Sequence, residues 1–347
     1  MKAKENPTAG SMLKKDDLIV IAGAGGFIAG SLARYFHDQG FTRIRAIDKK
    51  PLPEWYQVTE GVESLCLDLS DDHNCRRACQ GAVEVYNLAA DMGGMGFIER
   101  FRIECLRSIL INTHMIEAAY RAGAQRYFYS SSACAYNVEL QKDPNVRALK
   151  ESDAYPAMAE RGYGWEKLMS EMFCQEYRAE RGMHTAIARF HNVYGPNGTW
   201  DGGREKAPAA LCRKVIEAKD TGKQEIVIWG DGHQTRSFMY IDDCTKGIDM
   251  IMHCEQLIAT PINLGSDFLI SINDLVSIAE NIGGVKLQRE HDMDAPRGVA
   301  GRNSDNTFIQ QVLGWTPSTP LEEGMKKTYD WIEQQYEDRK AGKRTVS

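Results

Sequence analysis

Leu18-Ile19-Val20-Ile21-Ala22-Gly23-Ala24-Gly25-Gly26-Phe27-Ile28-Ala29-Gly30 decides how the rest of the chain is read. Five apolar residues predict a buried strand, the glycines a tight turn, and Ser31 to Gln39 a helix beyond it. Strand, turn and helix in immediate succession are what a dinucleotide-binding turn requires. Gly23 and Gly26 let backbone approach a pyrophosphate seated on the positive end of the next helix, and Gly25, Phe27 and Ile28 of the same turn are expected on the cofactor with them. Ala29 stands where a small residue permits close packing of helix on strand.

Outward from that turn the same pattern repeats. Ile44 to Ile47 reads as a second strand ending at Asp48, about 20 residues on, where a carboxylate can accept both ribose hydroxyls. A carboxylate there repels a 2'-phosphate, which favours NAD over NADP; the bland alternative is a surface Asp at a strand end. Ser64 to Leu69 predicts a third strand that carries Asp68 toward an adenine, and Val83 to Ala90 a fourth. Strands alternating with helices imply an α/β fold with a doubly wound parallel sheet of Rossmann type. Asp91-Met92-Gly93-Gly94-Met95-Gly96-Phe97 follows the fourth strand and reads either as backbone beside a ligand or as a ligand-free loop. Ile98 to Ala122 predicts one helix, with Asn112 as its polar exception.

In the other direction, Met1 to Asp17 is polar, lacks an apolar h-region and is expected to be a loose tail. Leu18 to Ala33 is too short and too Gly-rich for a membrane span. A net charge of -6 and a pI near 5.8 argue against a nucleic-acid-binding surface. Nine cysteines without a CxxC pair point to reduced thiols in a cytoplasmic protein, and to neither a disulfide framework nor a zinc site.

Chemistry concentrates further on. The strand Arg126 to Tyr129 leads into Ser130-Ser131-Ser132-Ala133-Cys134-Ala135-Tyr136, which places small hydroxyls at the sheet edge where a cofactor lies. Tyr163-Gly164-Trp165-Glu166-Lys167 sets a phenol and an ammonium four apart, on one face of a helix. A phenol with a reference pKa of about 10 is a poor base at neutral pH, and a nearby cation favours its phenolate. Alone, the pair also fits two solvated helix residues. With Ser132 it forms a triad able to oxidise an alcohol while hydride passes to a nicotinamide.

GAGGFIAG, Asp48, Asp68, SSSAC and YGWEK together resemble the extended branch of the short-chain dehydrogenase/reductase superfamily, over residues 17 to about 335. The resemblance implies that Tyr163, Lys167 and Ser132 carry hydride transfer. It also implies an NAD-binding Rossmann domain over 17–190 and a smaller α/β nucleotide-sugar domain over 191–335, with segments of the two interleaved. Arg189 to Pro196 matches the superfamily's RxxNxYGP crossing, which makes Asn192 a substrate hydrogen-bonder and leaves His191 structural.

Five further stretches are similar to the GDP-mannose 3,5-epimerases: MGGMGF (92 to 97), the Cys of SSAC, GGREKAPAA (202 to 210), QTRSF (234 to 238) and GRNSDN (301 to 306). That family oxidises C4 of a hexose, which makes the C3 and C5 protons acidic through enolates, and returns the hydride afterwards. By this likeness Cys134, as a thiolate if a cation lowers its pKa, and Lys206, as the opposing acid, exchange protons. Lys214, Arg236 and Arg302 are expected on the nucleotide diphosphate, and Gly93, Glu205, Ala207 and Gln234 on the substrate surface. The resemblance further implies bound NAD, a GDP-hexose substrate and a homodimer paired through the helices near 98–122 and 163–180. The family's Pro after the Cys is missing, and Val138 to Leu149 carries no family signature, which leaves the sugar open. A 4-epimerase, a C5-only epimerase and a non-catalytic nucleotide-sugar-binding protein remain as alternatives. The charged residues from Asp338 are expected to fray.

Overall fold

The structure is a computed structural model that describes residues 13–343 and 345. Six strands come first: β1 (Ile19–Ala22), β2 (Ile44–Asp48), β3 (Glu63–Cys66), β4 (Glu84–Asn87), β5 (Arg126–Ser132) and β6 (His184–Phe190). Then follow β7 (Val193–Tyr194), β8 (Glu225–Trp229), β9 (Thr235–Ser237), β10 (Met239–Tyr240), β11 (Pro261–Leu264), β12 (Leu269–Ser271), β13 (Gln288–Asp292) and β14 (Gly301–Arg302). The helices are α1 (Phe27–Asp38), α2 (Asp72–Cys79), α3 (Met95–Arg100), α4 (Arg102–Ala122), α5 (Tyr163–Arg181), α6 (Ala207–Thr221), α7 (Ile241–Met252), α8 (Ile272–Gly283), α9 (Thr307–Leu313) and α10 (Leu321–Lys340).

Seven parallel strands in the order β11-β6-β5-β4-β1-β2-β3 form the main sheet. β1 lies near its middle and is apolar throughout because helices cover both faces. On one face α1 turns Ala29, Leu32, Ala33 and Phe36 inward at helical spacing onto Ile19 and Ile21. On the other, Met115 and Ala119 of α4 and Cys174 of α5 meet Val20, Val85 and Tyr127. The doubly wound sheet expected from the sequence is therefore present. Three small sheets, β10-β7, β12-β9-β14 and β13-β8, belong to the smaller layer with α6, α8 and α10. β11 leaves that layer and joins the main sheet, pairing Leu264 with Phe190 of β6.

Several expected boundaries move. α1 starts at Phe27, directly after Gly26, and not at Ser31. β3 ends at Cys66; Asp68 lies beyond it and caps its own turn by accepting from the Ser70 amide at 2.9 Å and the Ser70 hydroxyl at 2.8 Å. The helix expected over 98–122 is broken at Phe101, whose φ of -117° and ψ of 52° separate α3 from α4. α3 absorbs Met95 to Phe97 from the supposed loop, because the Gly94 amide bonds the Arg204 carbonyl at 2.9 Å and the Arg204 guanidinium stacks 3.8 Å from the Phe97 ring centre. Of the expected loose tail, residues 1–12 lie outside the described residues, whereas the Lys15 carbonyl is held by the Thr42 amide at 2.8 Å. The C-terminal end does not fray at Asp338, since α10 continues to Lys340, whose ammonium bonds Asp220 at 2.5 Å.

Asn112 finds its purpose in the packing of α5. Its carbonyl accepts from the Asn87 amide at 2.9 Å, and its own amide donates to Ser170 Oγ at 2.9 Å and to Glu166. This buried network joins β4, α4 and α5, so it fixes how far α5 is rotated about its axis. Stripping a partner from one such buried group costs about 1–3 kcal/mol.

Candidate active site

Two cavities meet above the carboxyl ends of the central strands, where open parallel sheets bind ligands. The first, about 550 Å³, is lined by Gly23, Gly26, Phe27, Ile28, Asp48, Asp68, Ser132, Tyr163 and Lys167 among others. The second, about 310 Å³, is lined by Asn192, Cys134, Glu205, Ala207, Lys214, Gln234, Arg236 and Arg302 among others. Met92, Gly93, Ser132, Tyr163, Phe190 and Lys206 line both and form the seam between them.

The first cavity fits a dinucleotide. At Gly23, with φ of 85°, an added Cβ would lie 3.0 Å from the Ala89 backbone, so the turn can be this tight only with glycine. The N-terminus of α1 has no side-chain cap, which leaves its first amides and the positive end of the helix free for a phosphate. Asp48 lies at the end of β2 on the cavity wall. Gly25 does not line the cavity: its carbonyl takes the Lys50 ammonium at 2.7 Å, and a Cβ there would strike Asp48 and Trp55.

α5 brings Tyr163 to the seam. Gly164 is what lets it approach, because a Cβ there would sit 2.1 Å from the Cys134 carbonyl oxygen. Ser132 caps the turn Ala133–Ala135, accepting from the Cys134 amide at 3.2 Å, and stands beside the Tyr163 hydroxyl. The buried Lys167 ammonium donates to the Ser130 carbonyl at 3.0 Å and lies 5.3 Å from the Tyr163 ring centre. The Tyr163 phenol is pushed well up, by burial first and then by Cys134 and Glu166. Without a ligand the phenolate expected from the sequence is therefore not the resting form.

Cys134 and Lys206 reach the seam from opposite halves. Cys134 is almost wholly buried, and its thiol is pushed up to about 11, by burial and then by Glu160, against the pull of Arg302. Burial pulls the Lys206 ammonium down, and among the described residues its amine has no hydrogen-bond partner. Burial thus disfavours both charged forms: it opposes the Cys134 thiolate more than Arg302 favours it, and it moves Lys206 downward, the direction a proton-exchanging amine needs.

The expected diphosphate cations are occupied in part. Arg302 is buried, and its three arms reach Gln141 Oε1 at 2.6 Å, Cys134 Sγ at 3.5 Å and Glu160, so that it faces the thiol on the wall of the second cavity. Arg236 donates to the carbonyls of Thr235, Arg297 and Val299, and burial pulls it down to about 10. The Lys214 ammonium holds the Val227 carbonyl at 2.7 Å. Gln234 donates to the Trp229 carbonyl at 2.7 Å and keeps a buried Oε1 without a partner, a spare acceptor on the second cavity. Asn192 bonds the Ser237 carbonyl at 3.0 Å, and the buried His191 bonds Asn263 at 2.9 Å away from both cavities, as a structural residue would.

Sequence reasoning missed the groups that tie the loop after Gly195 across the first cavity. Tyr56 meets Thr199 at 2.6 Å, and Asp91 takes Lys49 and Arg204 at 2.9 Å each. Tyr56 and Lys49 sit in a connection without a motif. Glu160 was also missed, although an acid three residues before Tyr163 is a visible signal.

The model of the NAD dependent epimerase/dehydratase family matches residues 19–265. A GDP-mannose 3,5-epimerase of Arabidopsis thaliana is 43% identical over 333 residues, covering 95% of this chain and 85% of the relative. A GDP-mannose 3,5-epimerase 1 of Oryza sativa subsp. japonica is 43% identical over 326 residues, covering 93% and 83%. Among solved structures, the UDP-glucose 4-epimerase of Thermotoga maritima with UDP-glucose superposes with a TM-score of 0.81 at 20% identity, over 92% of this chain and 99% of that one.

Proposed function

Because the chain belongs to the NAD dependent epimerase/dehydratase family, and within it to the GDP-mannose 3,5-epimerases, we propose that it inverts C3 and C5 of GDP-D-mannose to give GDP-L-galactose. Inversion at C5 alone gives GDP-L-gulose. The observation that carries this reading is the meeting of the cavities: Ser132, Tyr163 and Lys167 line the first, Cys134 lines the second, and Ser132, Tyr163 and Lys206 line both.

NAD, when bound, would supply the acceptor for the C4 hydride and the donor for its return. Gly23, Gly26 and the start of α1 would hold its pyrophosphate, and Asp48 its ribose. Tyr163, as a phenolate stabilised by the Lys167 ammonium in the loaded site, takes the C4 hydroxyl proton and becomes the phenol, while Ser132 orients that oxygen. With C4 a ketone, loss of a proton from C5 or C3 leaves an enolate. Cys134 and Lys206 then remove and replace that proton from opposite faces, and Tyr163 returns its own proton as C4 is reduced. Asn192, Glu205, Gln234 and Arg236 line the sugar and diphosphate side, and the chain beyond residue 190 supplies most of that side. A 4-epimerase would leave Cys134 and Lys206 without a task.

The test is incubation of GDP-mannose with the enzyme in deuterated water without added NAD, followed by mass spectrometry of the recovered sugar nucleotides. Two deuterons per hexose are expected, one each at C3 and C5. A single deuteron would restrict the enzyme to one carbon, and a new isomer without deuterium would make it a 4-epimerase.

We also read the protein as a homodimer. Ile103, Leu106 and Leu110 of α4 and Trp165, Met169 and Met172 of α5 are exposed, each set on one helical face, and the two helices pack side by side. An apolar surface of that extent is the mark of a partner, and a second copy would bury it as a four-helix layer. Sedimentation at micromolar concentration is expected to give twice the chain mass, and Met169→Glu to give the chain mass; a wild-type monomer would refute the pairing. Nine free thiols fit a reducing compartment, and we place the enzyme in the cytoplasm on that ground.

A further inference from the structure

Resting on the reading of Cys134 as a proton carrier, we propose that Glu160 is a positioning residue for that sulfur, its carboxylate shared between the thiol and the guanidinium of Arg302. Glu160 immediately precedes the α5 approach: its backbone amide donates to the Cys134 carbonyl at 3.0 Å, so the two residues are locked together at main-chain level. Its carboxylate bonds Arg302, which in turn places Nη1 3.5 Å from Cys134 Sγ, and it also reaches the thiol. Gln141 fixes the third arm of Arg302 at 2.6 Å, so the guanidinium cannot swing away. All three members of the cluster are buried.

The consequence is electrostatic. Arg302 alone would stabilise a thiolate strongly in so dry a place, whereas a carboxylate within reach of the same sulfur opposes it and offers the thiol proton an acceptor. The other groups around Cys134 are Arg236 from β9, Lys206 at the start of α6, Tyr163 from α5 and the neutral thiol of Cys105 from α4. Neither Tyr163 nor Cys105 is charged at rest, so Glu160 is the anion of the cluster. It keeps the thiol protonated until a sugar enters, and it holds Arg302 where the thiolate needs it afterwards. Burial raises the Glu160 acid, but the Arg302 charge and the bonds from Arg302 and Cys134 outweigh that and hold it ionised.

The test titrates the thiol directly, on the full NAD-loaded chain without a GDP-sugar. The rate at which iodoacetamide alkylates Cys134 is followed against pH by peptide mass spectrometry, which separates it from the exposed Cys66. Wild-type alkylation is expected to reach half its limit above the reference thiol value of about 8.5. In Glu160→Gln the midpoint is expected to fall by about one pH unit or more, which is about a tenfold faster reaction near neutral pH. In Glu160→Asp the carboxylate retreats from the sulfur, and the midpoint is expected between the other two. A Glu160→Gln midpoint equal to or above wild type, at equal NAD content and circular dichroism, overturns the proposal. Should that variant not fold, a Glu160→Asp midpoint no lower than wild type overturns it as well. The failure of the epimerase reading is distinct: wild-type protein would then wash no deuterium into GDP-mannose at any pH, while the alkylation midpoints would still report on Glu160.

Discussion

Replacing Cys134 by Ala is expected to cut deuterium incorporation at C3 and C5 by about 10²–10⁴-fold, the usual contribution of a placed acid or base. The chain should stay folded and keep its NAD, because Ala fills most of the small buried space and residue 134 does not line the first cavity. Hydride exchange at C4 should survive, since Tyr163, Ser132 and Lys167 are untouched. Reduced nicotinamide should therefore still form when GDP-mannose is mixed with the variant, and its absorbance separates the two half-reactions. Lys206→Ala is expected to fall in the same range. The double variant should be scarcely slower than either single one, because an acid and a base that serve one inversion act as a unit. Full wash-in by Cys134→Ala would remove the sulfur from the reaction.

Tyr163→Phe is expected to be more general in effect. Without the phenol the C4 hydroxyl keeps its proton, no ketone forms, and the C3 and C5 protons keep the low acidity of an ordinary sugar. Reduced nicotinamide and deuterium wash-in should then be lost together, each by about 10²–10⁴-fold. Packing should barely change, since the ring remains and the Ser132 hydroxyl still caps the Cys134 turn. Deuterium wash-in by Tyr163→Phe at the wild-type rate would mean that enolisation does not depend on C4 oxidation, which would overturn the order of steps proposed above.

Much of this was legible before any coordinate. A strand ending in glycines and followed at once by a helix has few other readings, and Asp48 falls where the turn geometry requires it. Tyr163 and Lys167 could be paired from spacing alone, because a helix fixes which residues share a face. The early start of α3 at Met95 was not legible: it goes with Arg204, a residue more than a hundred positions away that stacks on Phe97 and bonds Asp91. The neighbours of Arg302 were not legible for the same reason. Its place in a GRNSDN stretch marks it as important, but only the fold brings it to Cys134, 168 residues distant, and to Glu160. The upward shifts of Tyr163 and Cys134 were likewise out of reach, because reference values describe groups in water and these two side chains are buried.

β11 has a bearing on how such a protein can be rebuilt. The polypeptide departs the main sheet after β6, supplies much of the lining of the second cavity, and comes back to add the edge strand next to β6 before leaving again. No single cut therefore separates a cofactor module from a specificity module. A chimaera joined once near residue 190 would take its edge strand from the foreign parent and have to fit its side chains to the native Ile187 and Phe190. Grafting a new sugar preference calls for three junctions, one near residue 190 and one on each side of Pro261–Leu264, with that strand left native. Exchange of specificity in this architecture is an insertion problem and not a matter of swapping ends.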